Sequence, residues 1–332
     1  MAFPLELRNS PGGKGSILGL VSSSFWSAMK NSDLVRPLRK RARNGVVQRE
    51  QEAVTDFCAS TGIKFLNKSV MLNLASESRG KAFYILGNGS SVNSLTQSDF
   101  KHIAEGVSVG TNAWPLHPFV PDIYSFEFSK HSLSPDPELA FMVKRAEANL
   151  QEKTSSIMVF LRPGLPAGLK AMVPLAVKGR ERVFLYGRAN FLSTKPDALS
   201  KDIEGVLRDT HPGGLDCLVL PDNGASVIRM IFLALIAGFR EIVLLGVDLN
   251  DNPYFWYDQR FKSAFGDYTE LAKRNPGDAT LTEATNDRPF STSSFIVTLA
   301  NVASTALGAT ISVGTRESAL AADLPFRPFA CE

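Results

Sequence analysis

Residues 84–95 read YILGNGSSVNSL. Tyr84, Ile85 and Leu86 are apolar and run directly into Gly87-Asn88-Gly89-Ser90-Ser91, after which the chain turns polar. A short apolar run that stops in a glycine turn marks a buried strand handing the chain to a helix. Gly87 and Gly89 allow the backbone a close approach to whatever lies against it. Free amides at the start of the following helix favour an anion, and the Ser90 and Ser91 hydroxyls can donate to phosphate oxygens. Asn88 can read a base, a ribose or a phosphate. The bland alternative is a tight turn that holds nothing.

The same alternation continues outward. GVSVGTNAW and PDIYSFEF read as strands after the helix TQSDFKHIAE, which Thr96 or Ser98 caps. PELAFMVKRAEANLQEK is a helix with Pro137 near its start, followed by the strands SSIMVFLRP and ERVFLYGRANF and the helix PDALSKDIEGVLRD. LDCLVLPDNGAS leads into the apolar helix VIRMIFLALIAG, which Gly238 ends, and then into the strongly apolar strand REIVLLGVDL. TSSFIVTLANVASTAL is a last helix and GATISVGT a last strand. Alternating strands and helices predict an α/β fold: a mostly parallel, Rossmann-like sheet with helices on both faces. The reading divides the chain into a basic and apolar arm over 1–45, a helical lead-in over 46–80, and the α/β domain over 81–332.

Composition excludes several classes. The chain has 332 residues, 44% of them hydrophobic and 21% charged, with a formal net charge of +3. That is a globular composition with too little positive charge to argue for nucleic acid. Cys58, Cys217 and Cys331 form no CxxC pair and no disulfide framework, which suits a reducing cytoplasm. No apolar run is long enough to span a bilayer. In the arm, ILGLVSSSFWSAMK precedes the basic cluster RPLRKRARN. One reading is an arm packed on the domain with a solvated basic face. The other is weak membrane-surface association through residues 17–43, aromatics inserting beside basic residues that meet anionic lipid.

Ligands of open α/β sheets sit at the carboxyl ends of strands. Four such ends carry small or polar groups: Gly87 to Ser91, Thr111-Asn112, Asp222-Asn223-Gly224-Ala225-Ser226, and Gly246 to Asn250. Gly224 permits an unusual backbone, and Ser226 stands at a helix start; the alternative is plain capping by Ser226 or Asn223. Asp248 ends the most apolar strand and is either part of the site or a structural carboxylate that accepts loop amides. No metal ligand set is assigned, since there is no DxD pair and Asp248 and Asp251 are spaced differently.

Together, YILGNGSSVNSL, GTNAW and NGASVIRMIFLALIAGFREIVLLGVDLN resemble glycosyltransferase family 42, bacterial sialyltransferases that use CMP-activated nonulosonic acids. The resemblance covers residues 82–318, leaves the arm unexplained, and implies a GT-A-like variant of the Rossmann sheet. By position it implies that Asn88, Gly89, Ser91 and Asn112 hold the cytidine nucleotide, with Gly224 and Ser226 from the later turn; Gly87, Ser90 and Asp248 join the candidate nucleotide site from the strand-end reading. It implies that an aromatic of NPYFWYD, one of Tyr254, Trp256 and Tyr257, holds the leaving phosphate, with the hydroxyls of Tyr254 and Tyr257 as the candidate donors. The expected partners are a nucleotide-sugar donor and a glycan acceptor of a bacterial surface, with no cofactor required and no nucleic acid. The expected place is the cytoplasm, at the inner face of a membrane if the arm binds lipid. The motifs are also similar to motility-associated flagellin glycosyltransferases and to an archaeal-type hydroxymethylpterin pyrophosphokinase.

The departure from the family lies in its general base. Family members carry a histidine after the aromatic segment, and the matching stretch NPGDATLTEATNDRPFSTSS has none. The candidates in its place are Glu127, Asp287 and His131, with Glu283 and His211 behind them; Arg288 and Arg316 are candidate partners for a carboxylate or phosphate. Glu127 lies between aromatics at a strand end, where burial would raise its pKa toward a useful range. Two other readings stay open. One is pyrophosphoryl transfer with ATP and Mg²⁺ on Asp222, Asp248 and Asp251. The other is a nucleotide-binding relative without catalysis.

Overall fold

The computed structural model describes residues 80–127, 183–190, 195–208, 219–250, 252–262 and 288–329, the strand backbone 157–161, Ser193, and single positions within 45–76 and 141–149. The chain divides into two units, Met1–Ala42 and Arg43–Glu332. The first lies outside the described residues, and with it the expectations placed on 17–43.

Nine strands make one sheet: β1 (Lys64–Phe65), β2 (Phe83–Leu86), β3 (Val107–Thr111), β4 (Ile123–Phe126), β5 (Ile157–Leu161), β6 (Val183–Asn190), β7 (Val219–Asp222), β8 (Glu241–Leu245) and β9 (Thr310–Val313). Every pairing is parallel, in the order β1-β6-β5-β4-β3-β2-β8-β9, and β7 pairs with the second half of β6. Parallel strands covered on both faces read as continuous apolar runs. FYIL of β2 is buried throughout, and so is all of EIVLL in β8 after Glu241.

Side chains alternate between two cores because successive strand residues point to opposite faces. Phe83, Ile85, Ile242 and Leu244 join one face. There they meet three helices: α2 (Pro196–Arg208) through Leu199 and Ile203, α3 (Ser226–Ala237) through most of its length, and α4 (Thr292–Leu307) through Phe295 and Leu299. Tyr84, Leu86, Val243 and Leu245 join the other face, with Ile103 of α1 (Gln97–Ile103), Trp114, Phe255, Trp256, Met142 and Ala146. The expected two-faced α/β sheet is therefore what forms.

Local signals end these helices where the sequence places them. Thr96 and Asp99 form a reciprocal capping box on α1. Gly238 and Gly308 close α3 and α4 in the left-handed conformation. The described positions of the lead-in are mostly helical, on both sides of one short strand. The lead-in contributes β1, two residues paired to β6, and buries Leu66, whose amide donates to the Leu185 carbonyl at 2.6 Å. Two residues are too few to show a strand period, and only the neighbouring β6 makes them one. No described helix is long and apolar enough to cross a membrane.

The topology sets the site. The chain runs outward from β2 through β3, β4, β5 and β6, then returns by β7 and α3 to place β8 on the other side of β2. The strand order reverses between β2 and β8, and ligands of doubly wound sheets bind at the carboxyl ends beside that reversal.

Candidate functional site

At the reversal, the turn after β2 and the turn after β8 touch. The Gly87 amide donates to the Leu245 carbonyl at 2.7 Å and the Gly89 amide to the Gly246 carbonyl at 2.8 Å. A Cβ on Gly87 would stand 2.4 Å from the Gly246 oxygen, and one on Gly89 would stand 2.4 Å from the Asp248 carboxyl carbon. Only glycine allows this approach. Asp248 is buried; it accepts the Ser91 amide at 3.0 Å and the Ser91 hydroxyl, which itself accepts from Thr315 at 3.0 Å. Ser91 and Asp248 are thus committed to each other and form the frame of the turn.

The expected anion cradle of free amides is corrected here. The turn leads into a five-residue 3-10 helix, Ser90–Ser94, rather than a full α-helix. Its first amides are already used, Ser90 on the Pro253 carbonyl at 2.9 Å and Ser91 on Asp248. What the turn presents instead is Asn88. Its main-chain carbonyl accepts the Phe255 amide at 2.9 Å, while its side-chain Oδ1 is buried without a hydrogen-bond partner among the described residues. A buried acceptor left unmatched is costly, about 1–3 kcal/mol, and a ligand donor can satisfy it.

The segment 252–261 closes one side. Gly89 and Tyr254 pair as an antiparallel bridge, so Tyr254 stands directly beside the turn. Its ring stacks on Trp256 with centroids 4.4 Å apart and 6° between planes, and the Tyr257 ring lies 6.5 Å away. Tyr254 and Tyr257 are half-buried, whereas Phe255 is buried as the anchor. Phe255 packs with Trp114 and His117, and Phe261 joins them. His117 is a core histidine. It stacks on Trp114 and its Nδ1 accepts the Phe119 amide at 3.0 Å. Burial, assisted by Arg260, lowers its pKa to about 4. His102 lies on α1 beside Glu105 and Phe329.

The other side is a charged network at the ends of β3, β4, β6 and β7. Asn112 adopts a left-handed conformation, φ 50°, and its Nδ2 reaches the Ser226 hydroxyl at 3.4 Å. Ser226 donates to Glu127 Oε2 at 3.1 Å and accepts from Arg229 Nη2 at 3.0 Å. Arg229 is completely buried in the first turn of α3. It also donates to Glu127 Oε2 at 2.6 Å and to Asp222 Oδ1 at 2.7 Å. Burial pulls the Arg229 pKa down, but Tyr186, Asp222 and Glu127 outweigh that and raise it, so the guanidinium stays charged. Asp222 further accepts from Arg188 at 3.0 Å and from the Gly224 amide at 2.9 Å. Gly224 has φ 82°, and the Arg288 side chain crosses it so closely that a Cβ would meet Arg288 Cδ at 2.7 Å.

Capping by Ser226 or Asn223 does not occur. Ala225 is the N-cap of α3 without a side-chain bond, and Asn223 donates to the Phe290 carbonyl at 3.1 Å. Glu127, read as a strand-end carboxylate in an apolar setting, instead sits between two guanidiniums, Arg229 at 2.6 Å and Arg188 at 3.9 Å. Asp287 and His131 lie outside the described residues, as do His211, Asp251 and Glu283. Arg188 and Arg229 escaped the sequence reading. A lone arginine within SVIRMIFLALIA was the available signal, because a charge inside an apolar helix must be paired. Among the described residues, no cluster of His, Cys, Asp and Glu is placed to hold a metal ion.

No family model matches the chain, and no curated protein matches it. Solved structures of sialyltransferase CST-II are similar to it at low identity. A complex with a trisaccharide acceptor and CMP is 12% identical, with 75% of this chain and 86% of that chain covered and a TM-score of 0.40. CstII from Campylobacter jejuni with cytidine-5'-monophosphate is also 12% identical, over 76% and 86%, with a TM-score of 0.40. A CST-II variant in complex with CMP is 13% identical, over 75% and 86%, with a TM-score of 0.43. An overlap this loose assigns neither substrate nor activity to this chain.

Proposed function

We propose that this protein is an inverting glycosyltransferase that uses a CMP-activated nonulosonic acid to modify a bacterial surface glycan. The observation that carries the reading is Asn88: a buried side-chain acceptor without a partner among the described residues, at the strand-order reversal, beside an aromatic wall. A cytosine amino group or a ribose hydroxyl supplies the donor that Asn88 Oδ1 lacks. Asn112 bounds the other side of the nucleotide, one strand over. A tyrosine hydroxyl from Tyr254 or Tyr257 donates to the phosphate as charge develops on the departing CMP. The acceptor hydroxyl attacks the anomeric carbon from the opposite face and gives its proton to Asp287 or His131, because Glu127 is already engaged by Ser226 and Arg229. The chemistry requires no metal, because the leaving nucleotide monophosphate is stabilised by these donors.

The pyrophosphoryl-transfer alternative is weakened by the use already made of its acidic groups. Asp222 is paired with Arg188 and Arg229, and Asp248 with Ser91. The test is calorimetry with CMP, CDP, UDP, GDP and ATP, each with and without Mg²⁺, on the wild type and Asn88→Ala. The expected result is metal-independent selectivity for CMP that the variant loses at least tenfold, since tenfold corresponds to about 1.4 kcal/mol. Preference for ATP with Mg²⁺ would sink the proposal.

A further inference from the structure

The hydroxyl of Ser226 has three polar neighbours. Two of them, Arg229 Nη2 and Asn112 Nδ2, carry only protons to give, and the third, Glu127 Oε2, only accepts. Both acceptor positions of Ser226 are therefore filled, and its single proton belongs to Glu127. Ser226 has no donor left for a ligand. The outward group of the cluster is Glu127, whose side chain is 30% exposed, against 0% for Arg229 and 0% for Asp222. Its Oε2 is bound inside the cluster, and its Oε1 lies 3.9 Å from Arg188.

Glu127 also stands where an external anion would otherwise be drawn. The start of α3 has no capping side chain and no acidic residue in its first turn. Its positive end faces the Glu127 carboxylate through Ser226, and Arg229 binds the same oxygen. The chain has filled this position with its own charge.

We propose that Glu127 is the specificity-determining residue at the sugar end of the pocket: it occupies the anion position at the start of α3, accepts a hydrogen bond from a hydroxyl or N–H group of the ligand through Oε1, and turns away a second negative charge there. Ser226 and Arg229 are positioning residues that fix the carboxylate. The inference rests on the nucleotide-sugar reading of the pocket and removes Glu127 from the roles of proton acceptor. It follows that any carboxylate on the donor is held elsewhere in the pocket, and that a hydroxyl- or N–H-bearing face of the sugar meets Glu127.

The test uses the full chain and sodium formate as a carboxylate probe, at constant ionic strength against chloride, with thermal unfolding as readout. Glu127→Gln keeps the shape and both hydrogen bonds to Oε2 while removing the charge. The variant should gain a saturable stabilisation by formate with a midpoint at least tenfold below any seen for the wild type, and Glu127→Ala should gain more. Equal responses of Glu127→Gln and wild type would overturn the proposal. CMP binding, measured in parallel, should be equal within twofold in the two proteins. Loss of CMP affinity in Glu127→Gln alone would also overturn it, because Glu127 would then act at the nucleotide end. Absence of CMP binding in the wild type would instead sink the nucleotide reading, and the formate result would still decide the charge of the α3 position.

Discussion

Lowering the pH from 7 to 4 should loosen the aromatic wall through one residue, His117. The imidazole is buried between Trp114, Phe100, Phe255 and Phe261, where burial and Arg260 hold its pKa near 4 instead of 6.5. The unfolded chain therefore binds a proton that the folded one refuses. The neutral ring costs nothing above the unfolded value of 6.5, and the penalty grows as pH falls from there to about 4, where it is complete. A fall from 6.5 to about 4 corresponds to about 3 kcal/mol, of which about 2 kcal/mol is lost by pH 5. The assay is urea unfolding between pH 7.5 and 4.5, followed by tryptophan fluorescence. Trp114 reports directly, its ring centroid lying 4.6 Å from that of His117. His117→Phe retains the packing but leaves the Phe119 amide without its acceptor, a cost of about 1 kcal/mol at every pH. Carboxylates elsewhere titrate in both proteins, so the quantity that counts is the difference in slope. The wild type should lose about 2 kcal/mol more than His117→Phe between pH 7 and 5. Parallel curves would refute the claim that His117 is buried neutral under the wall.

Three further changes probe the frame of the site. Gly87→Ala places a methyl group 2.4 Å from the Gly246 oxygen; prying β2 from β8 should cost about 1–3 kcal/mol in denaturant unfolding and abolish CMP binding in calorimetry. Arg229→Met leaves Asp222 and Glu127 with Arg188 as their one remaining shared cation among the described residues and should cost about 3–5 kcal/mol, part of which Glu127→Gln in the same chain restores. Phe255→Ala removes the buried anchor of the aromatic wall; it should cost about 3–5 kcal/mol and weaken CMP binding while leaving the sheet's far-ultraviolet dichroism unchanged.

Much of the fold is legible because its signals are local. FYIL running into GNGSS, and EIVLL running into GVD, show where β2 and β8 stop without reference to any other part of the chain. Thr96, Gly238 and Gly308 end their helices by backbone rules that operate within a few residues. The two-residue β1 is not legible, since its extended shape comes from pairing with β6 and not from its own period. The site is legible only in outline. Strand ends identify Asn88, Asn112 and Glu127 as residues that come together, because parallel strands must deliver their carboxyl ends to one edge. They say nothing about whether a given amide or hydroxyl is still free.

That distinction separates what the sequence alone determined from what needed the third dimension. Element type, element order, the parallel sheet and the edge that bears the site follow from periodicity and punctuation along the chain. The assignment of partners does not. Ser91 is satisfied by Asp248 from 157 residues away, and Glu127 by Arg229 from 102 residues away. Hydrogen bonds and ion pairs act over a few ångströms in space and are blind to separation in sequence. Only the crossover that returns the chain from β7 through α3 to β8 brings those groups within reach. It turns two expected ligand-binding hydroxyls, Ser91 and Ser226, into internal struts, leaves Asn88 Oδ1 without a partner among the described residues, and leaves the Glu127 side chain 30% exposed.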